Sequence, residues 1–87
     1  MIELLDFYAD WCGPCQVMKP IFKEIEKEYE GKVAFKQVDV EANGPVAAQF
    51  GVMSIPTFVI TKEGKEVSRK IGAMPKDVLK GWIDSNL

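Results

Sequence analysis

Apolar positions follow two rhythms along this chain of 87 residues. From Ile2 to Ala9 they are nearly continuous, broken only by Glu3 and Asp6, as expected of a strand covered on both faces. From about Cys12 to Glu30 the rhythm changes. Cys15, Met18, Phe22, Ile25 and Tyr29 step by three and four, with Ile21 widening the stripe, which predicts an amphipathic helix. Gly31 is placed to end it as a C′ glycine. Pro20 sits inside the helix, where it removes one backbone hydrogen bond and should bend the axis.

A second strand is predicted at about Val33 to Val40, after a joint short enough to make strand, helix and strand a parallel crossover. Asn43-Gly44-Pro45 opens a short helix that Gly51 closes. Thr57 to Thr61 reads as a third strand, Glu63-Gly64 as a hairpin turn, and Glu66 to Ile71 as a fourth strand. Pro75 starts a last helix with Val78, Leu79, Trp82 and Ile83 as its apolar stripe. The order is β-α-β-α-β-β-α, an α/β fold with a four-stranded mixed sheet and helices on both faces. No linker, repeat or low-complexity tract divides it, so residues 1–87 are expected to form a single domain.

Composition narrows the function classes. A hydrophobic fraction of 47% supports a modest core, and a net charge of −2 leaves no basic footprint for nucleic acid. Lysines and glutamates interleave from Lys19 to Lys36, the pattern of a solvated helix face. No apolar run is long enough to cross a membrane. The opening residues, with Glu3 and Asp6 among them, do not form a signal peptide, so a cytosolic location is the default expectation. The absence of histidine removes Cys-His catalysis, histidine bases and mixed Cys/His zinc sites.

The candidate chemistry lies in Trp11-Cys12-Gly13-Pro14-Cys15, which holds both cysteines of the chain between a predicted strand and a predicted helix. Cys12 falls at the first helical turn, where unpaired N–H groups and the positive dipole end stabilise a thiolate. It is expected to be exposed and to attack a substrate disulfide. Cys15, one turn on, begins the inward stripe and is expected to resolve the mixed disulfide. Gly13-Pro14 keeps the loop tight and leaves room for an incoming substrate. A zinc half-site or two idle buried thiols are the alternatives, but zinc on two cysteines and no histidine would require dimerisation or carboxylate ligands.

Asp6 stands in the middle of an apolar strand, where an ionised carboxylate is costly to bury. Burial would raise its pKa and suit it to accept the Cys15 proton; a polar pocket or a lysine partner is the other reading. Pro56, in Ile55-Pro56-Thr57, either breaks the preceding loop or, as a cis proline, brings the backbone near the dithiol.

Together, Asp6-Phe7-Tyr8-Ala9-Asp10-Trp11-Cys12-Gly13-Pro14-Cys15, Pro20, Ile55-Pro56-Thr57, Gly64 and Gly72-Ala73 make the chain resemble the thioredoxin family over essentially its whole length. The resemblance implies a minimal thioredoxin fold, a nucleophile at Cys12, a resolving thiol at Cys15, a buried Asp6 and a cis Pro56. It also implies that Lys36 neighbours Asp6 and supports proton transfer. Trp11, Gly13, Pro14, Ile55, Pro56, Gly72 and Ala73 would form the surface that meets substrates. The implied activity is reduction of protein disulfides, with no cofactor beyond the Cys12/Cys15 disulfide and no metal. Its implied partners are a thioredoxin reductase as electron donor and disulfide-containing clients held transiently.

Thioredoxins usually carry a further strand and helix ahead of the segment with which this chain begins. The strand at Val33 to Val40 is therefore expected to be a sheet edge, guarded by Lys36 and Asp39. A monomer is the expectation, with dimerisation through that edge as the alternative. Gln16 stands where many relatives carry a basic residue, which weakens the local field favouring a thiolate. The rival functions are a disulfide oxidase or isomerase and a binding module with incidental cysteines.

Overall fold

In a computed structural model describing residues 1–87, the elements follow the expected order: β1 (Ile2–Tyr8), α1 (Gly13–Glu28), β2 (Ala34–Asp39), α2 (Gly44–Gln49), β3 (Thr57–Lys62), β4 (Lys65–Ile71) and α3 (Lys76–Asp84). The strands form one sheet in the order β2-β1-β3-β4. β1 pairs in parallel with β2 and antiparallel with β3, and β3 pairs antiparallel with β4. This is the four-stranded mixed sheet of a minimal thioredoxin fold, with β2 and β4 at its edges.

The period-two alternation of β1 explains the layers. Leu4 points into a core shared with Met18, Phe22 and Ile25 of α1 and with Leu79, Trp82 and Ile83 of α3. Leu5 and Phe7 point the other way, onto a smaller cluster with Ala47 of α2 and Val59 of β3. Phe22 makes an edge-on contact with Phe35 of β2, and Phe7 a tilted one with Phe50 beyond α2. The Tyr29 hydroxyl donates to Asp84 at 2.5 Å, and Trp82 Nε1 donates to Ser68 Oγ at 2.8 Å, so the polar ends of both buried rings are satisfied.

Helix α1 ends earlier than the periodicity predicts. Glu28 is its last residue and Tyr29 its C-cap, and the amides of Lys32 and Val33 then donate to the Tyr29 carbonyl. Gly31, at φ +85°, therefore serves the turn into β2, two residues beyond the cap. Pro75 is the N-cap of α3 rather than its first residue. Glu63 and Gly64, at φ 53° and 80°, make the expected hairpin turn.

Phe22 is 1% exposed and anchors α1 to the sheet. Phe22→Ala should lower the unfolding free energy by about 3–5 kcal/mol, a large share of the roughly 5–15 kcal/mol of such a domain. A urea titration followed by circular dichroism measures it. A loss below about 1 kcal/mol would mean that the α1–sheet contact is not the main core.

Candidate active site

β1 ends at Tyr8, and α1 begins at Gly13, with four residues between them. The Cys12 amide closes this corner by donating to the Ala9 carbonyl at 3.2 Å. Gln16 Nε2 braces the outside through the Asp10 carbonyl at 2.9 Å. Cys12 is the N-cap of α1, in extended conformation, and its sulfur accepts from the Cys15 amide at 3.2 Å. A cysteine sulfur thus occupies the place where a helix N-terminus offers a free donor.

Cys12 and Cys15 are joined by a disulfide, with Cα atoms 5.2 Å apart. The expectation of one exposed and one buried sulfur needs correcting. Both residues are covered, at 5% and 6% exposure. Tyr8, Val40 and Ile55 pack around them, and the Ile55 carbonyl oxygen lies 3.9 Å from Cys12 Sγ.

The Ile55-Pro56 peptide is cis, and Pro56 is buried. Its carbonyl accepts from the Gly72 amide at 2.8 Å. Gly72 has φ +97°, a conformation open chiefly to glycine. Thus Ile55, Pro56 and Gly72 come together beside the disulfide, with Ala73 exposed after them. Gly13, Pro14 and Trp11 are exposed on the helix side, Trp11 at 69%.

Trp11 is held in place by a contact that the sequence did not signal. Its Nε1 donates to Glu41 Oε1 at 2.9 Å, tying the motif to the loop after β2. Between Trp11 and the segment Val52 to Ile55 lies a shallow groove of about 180 Å³, floored by Val40 and Ala47. The largest hollow, about 510 Å³, lies away from the disulfide, between the end of α1 and the Val33 to Phe35 edge.

Asp6 is 3% exposed, and its Oδ1 has no hydrogen-bond partner. Burial pushes its pKa up to about 6, while the side chain of Gln37 and the charge of Lys19 pull it down. Lys36 is absent from this environment, contrary to what the resemblance implied. In the parallel register Asp6 faces Gln37, whereas Lys36 faces Leu5 and so lies on the α2 side of the sheet. There Lys36 Nζ pairs with Glu3 Oε2 at 2.8 Å, and the ammonium helps hold the Glu3 carboxyl below its ordinary range. Lys19 also departs from expectation. It is half-buried, its Nζ 5.8 Å from the centre of the Tyr8 ring, rather than part of a solvated face.

No helix is long and apolar enough to cross a membrane. No group of three or more His, Cys, Asp or Glu side chains gathers where it could hold a metal ion.

Asp6 gives the fold a defined pH dependence. It keeps its proton up to about 6 in the folded state but releases it near 3.8 when unfolded. Folding therefore binds a proton between those values, and stability falls as pH rises through them, by about 3 kcal/mol in all. Asp6→Asn removes the loss. The variant should gain on the parent as pH rises from 4 to 6 and exceed it by up to about 3 kcal/mol at pH 7. Urea unfolding of the oxidised proteins across that range tests it; a difference independent of pH would contradict the burial account.

Comparison with known proteins agrees with this geometry. The Thioredoxin family model matches residues 2–85. Curated thioredoxins of Staphylococcus aureus, among them those of strains Mu50, N315 and NCTC 8325, are each 41% identical over 86 residues. Those alignments cover 99% of this chain and 83% of each relative.

Proposed function

The chain belongs to the thioredoxin family, and from that premise we propose how its residues divide the work of reducing a protein disulfide. It is a thiol–disulfide oxidoreductase, and its Cys12–Cys15 pair is the redox centre. In the reduced protein Cys12 is the nucleophile. The observation that carries this assignment is the Cys15 amide directed at Cys12 Sγ, at the start of a sixteen-residue helix. That donor and the dipole behind it favour negative charge on Cys12, and nothing equivalent serves Cys15 one turn further in.

The Cys12 thiolate attacks one sulfur of a client disulfide, forming a Cys12–client bond and releasing the other client sulfur as thiolate. Cys15 then loses its proton and attacks Cys12 Sγ. The intramolecular disulfide closes, and the second client thiolate leaves. Two electrons pass to the client. Asp6, buried on the face of β1 that α1 covers and poised to titrate near 6, takes the Cys15 proton.

The client approaches over Trp11, Gly13 and Pro14 on one side and Ile55, Pro56, Gly72 and Ala73 on the other. The Ile55 carbonyl beside Cys12 lets an extended client segment run alongside the backbone. This contact area is small, which suits transient encounters. Thioredoxin reductase would return the two electrons, and the cytoplasm, where disulfides are kept reduced, is the place of work. One chain carries both cysteines and Asp6, so the monomer is the working unit.

Replacing each cysteine by serine separates the roles. Reduced Cys15→Ser should accumulate a stable mixed disulfide with a client such as insulin, visible as a heavier band without reductant. Cys12→Ser should trap at least about 100-fold less. Comparable trapping by both variants would overturn the assignment, and retention of the client by both without a covalent bond would favour a binding module.

A further inference from the structure

Asp6 has no acceptor or donor at Oδ1, yet the reading above asks it to take on a charge in each cycle. A carboxylate that becomes ionised in an apolar site needs a cation within reach. Every element packed around it can be searched for one. Within β1, Tyr8 lies two residues on and points to the same face. Beyond β1 stands Asp10, and from β2 come Gln37, which is uncharged, and Asp39. β3 offers Phe58 opposite Asp6. Helix α1 supplies the cysteines and Lys19.

Lys19 is the one cation of this group. It lies four residues after Cys15, hence one turn along the same helix face. Its ammonium is seated on the Tyr8 ring, 5.8 Å from the centroid, which draws the side chain inward over β1. The carboxylates Asp6, Asp10 and Asp39 all act on Tyr8 and raise its pKa, after burial itself, so one ring marks the centre of this cluster.

We propose that Lys19, held over β1 by the Tyr8 ring, is the positive partner of Asp6 and thereby a positioning residue for the reaction. It touches neither substrate nor sulfur. It acts by setting how readily Asp6 gives up and takes back its proton, the role that the family resemblance had assigned to Lys36. The charge of Lys19 opposes the effect of burial on the Asp6 carboxyl, in agreement with this geometry. The inference rests on Asp6 being the proton acceptor, and its test is built to fail separately from that reading.

The Asp6 carboxyl carbon can be followed by NMR through a pH titration of the oxidised protein, in which neither cysteine titrates. Lys19→Met keeps the length and apolar stem but removes the charge. Its Asp6 midpoint should move upward by about one pH unit. Lys19→Arg should restore the parent midpoint, and Lys36→Met should leave it in place. The pH profile for resolving a Cys12 mixed disulfide should shift by the same amount in Lys19→Met, and the substitution should have no such effect in an Asp6→Asn background. An unmoved midpoint in Lys19→Met, or an equal shift in Lys36→Met, overturns the proposal. So does a shifted midpoint without a shifted rate profile in a protein whose rate Asp6→Asn does change. A rate profile unaltered by Asp6→Asn instead removes Asp6 from the reaction, and the resting-state titration still decides whether Lys19 is its partner.

Discussion

Burial of β1 on all sides is the constraint from which the rest of the structure follows. It is paired along both edges, by β2 and β3, and covered on one face by α1 and α3 and on the other by α2. Leu4 and Phe7 have no exposed surface. A strand so enclosed cannot slip, because a one-residue shift would exchange its two faces. Its end at Tyr8, and with it the corner from which α1 departs, is therefore fixed in space. The sulfur of Cys12 inherits its position at the helix N-terminus from that corner. Asp6 inherits its isolation from the same enclosure.

Asymmetry between two similar cysteines is what disulfide exchange requires, and here the backbone provides it. The two cysteine residues are almost equally covered, so residue exposure does not separate them in the oxidised state. The distinguishing feature is the amide at Cys12 Sγ and the helix behind it. Around this pair, the loops at Trp11 and at Ile55 to Pro56 are held by contacts remote in sequence: the indole to Glu41, and the Pro56 carbonyl to Gly72. The surface proposed to meet a client is thus assembled from segments that only the sheet brings together.

Much of this was legible in the residues. The continuous apolar run of β1, the three-four stepping of α1 and the Glu63-Gly64 turn were strong signals, because each reflects a local periodicity or a local backbone preference. The dithiol was legible because strand and helix flank it directly. What remained hidden depended on register. Lys36 and Gln37 are adjacent in sequence but face opposite sides of the sheet, and only the pairing of Leu5 with Lys36 shows which one meets Asp6. Lys19 looked like one lysine among many on a charged helix, although its spacing of four from Cys15 was a usable clue. The Trp11–Glu41 contact spans thirty residues and left no local trace. Nor did the covering of Cys12, whose cluster is closed by Tyr8, Val40 and Ile55 from three separate segments.

The most direct test of the account is the reduction potential of the Cys12/Cys15 couple. It is obtained by equilibrating the protein with mixtures of a dithiol and its disulfide and reading the fluorescence of Trp11, adjacent to Cys12. A thiol–disulfide reductase should show one reversible two-electron transition at least as reducing as a glutathione pool. A markedly more oxidising couple would point to an oxidase or isomerase, and the absence of any reversible couple would contradict the redox function itself.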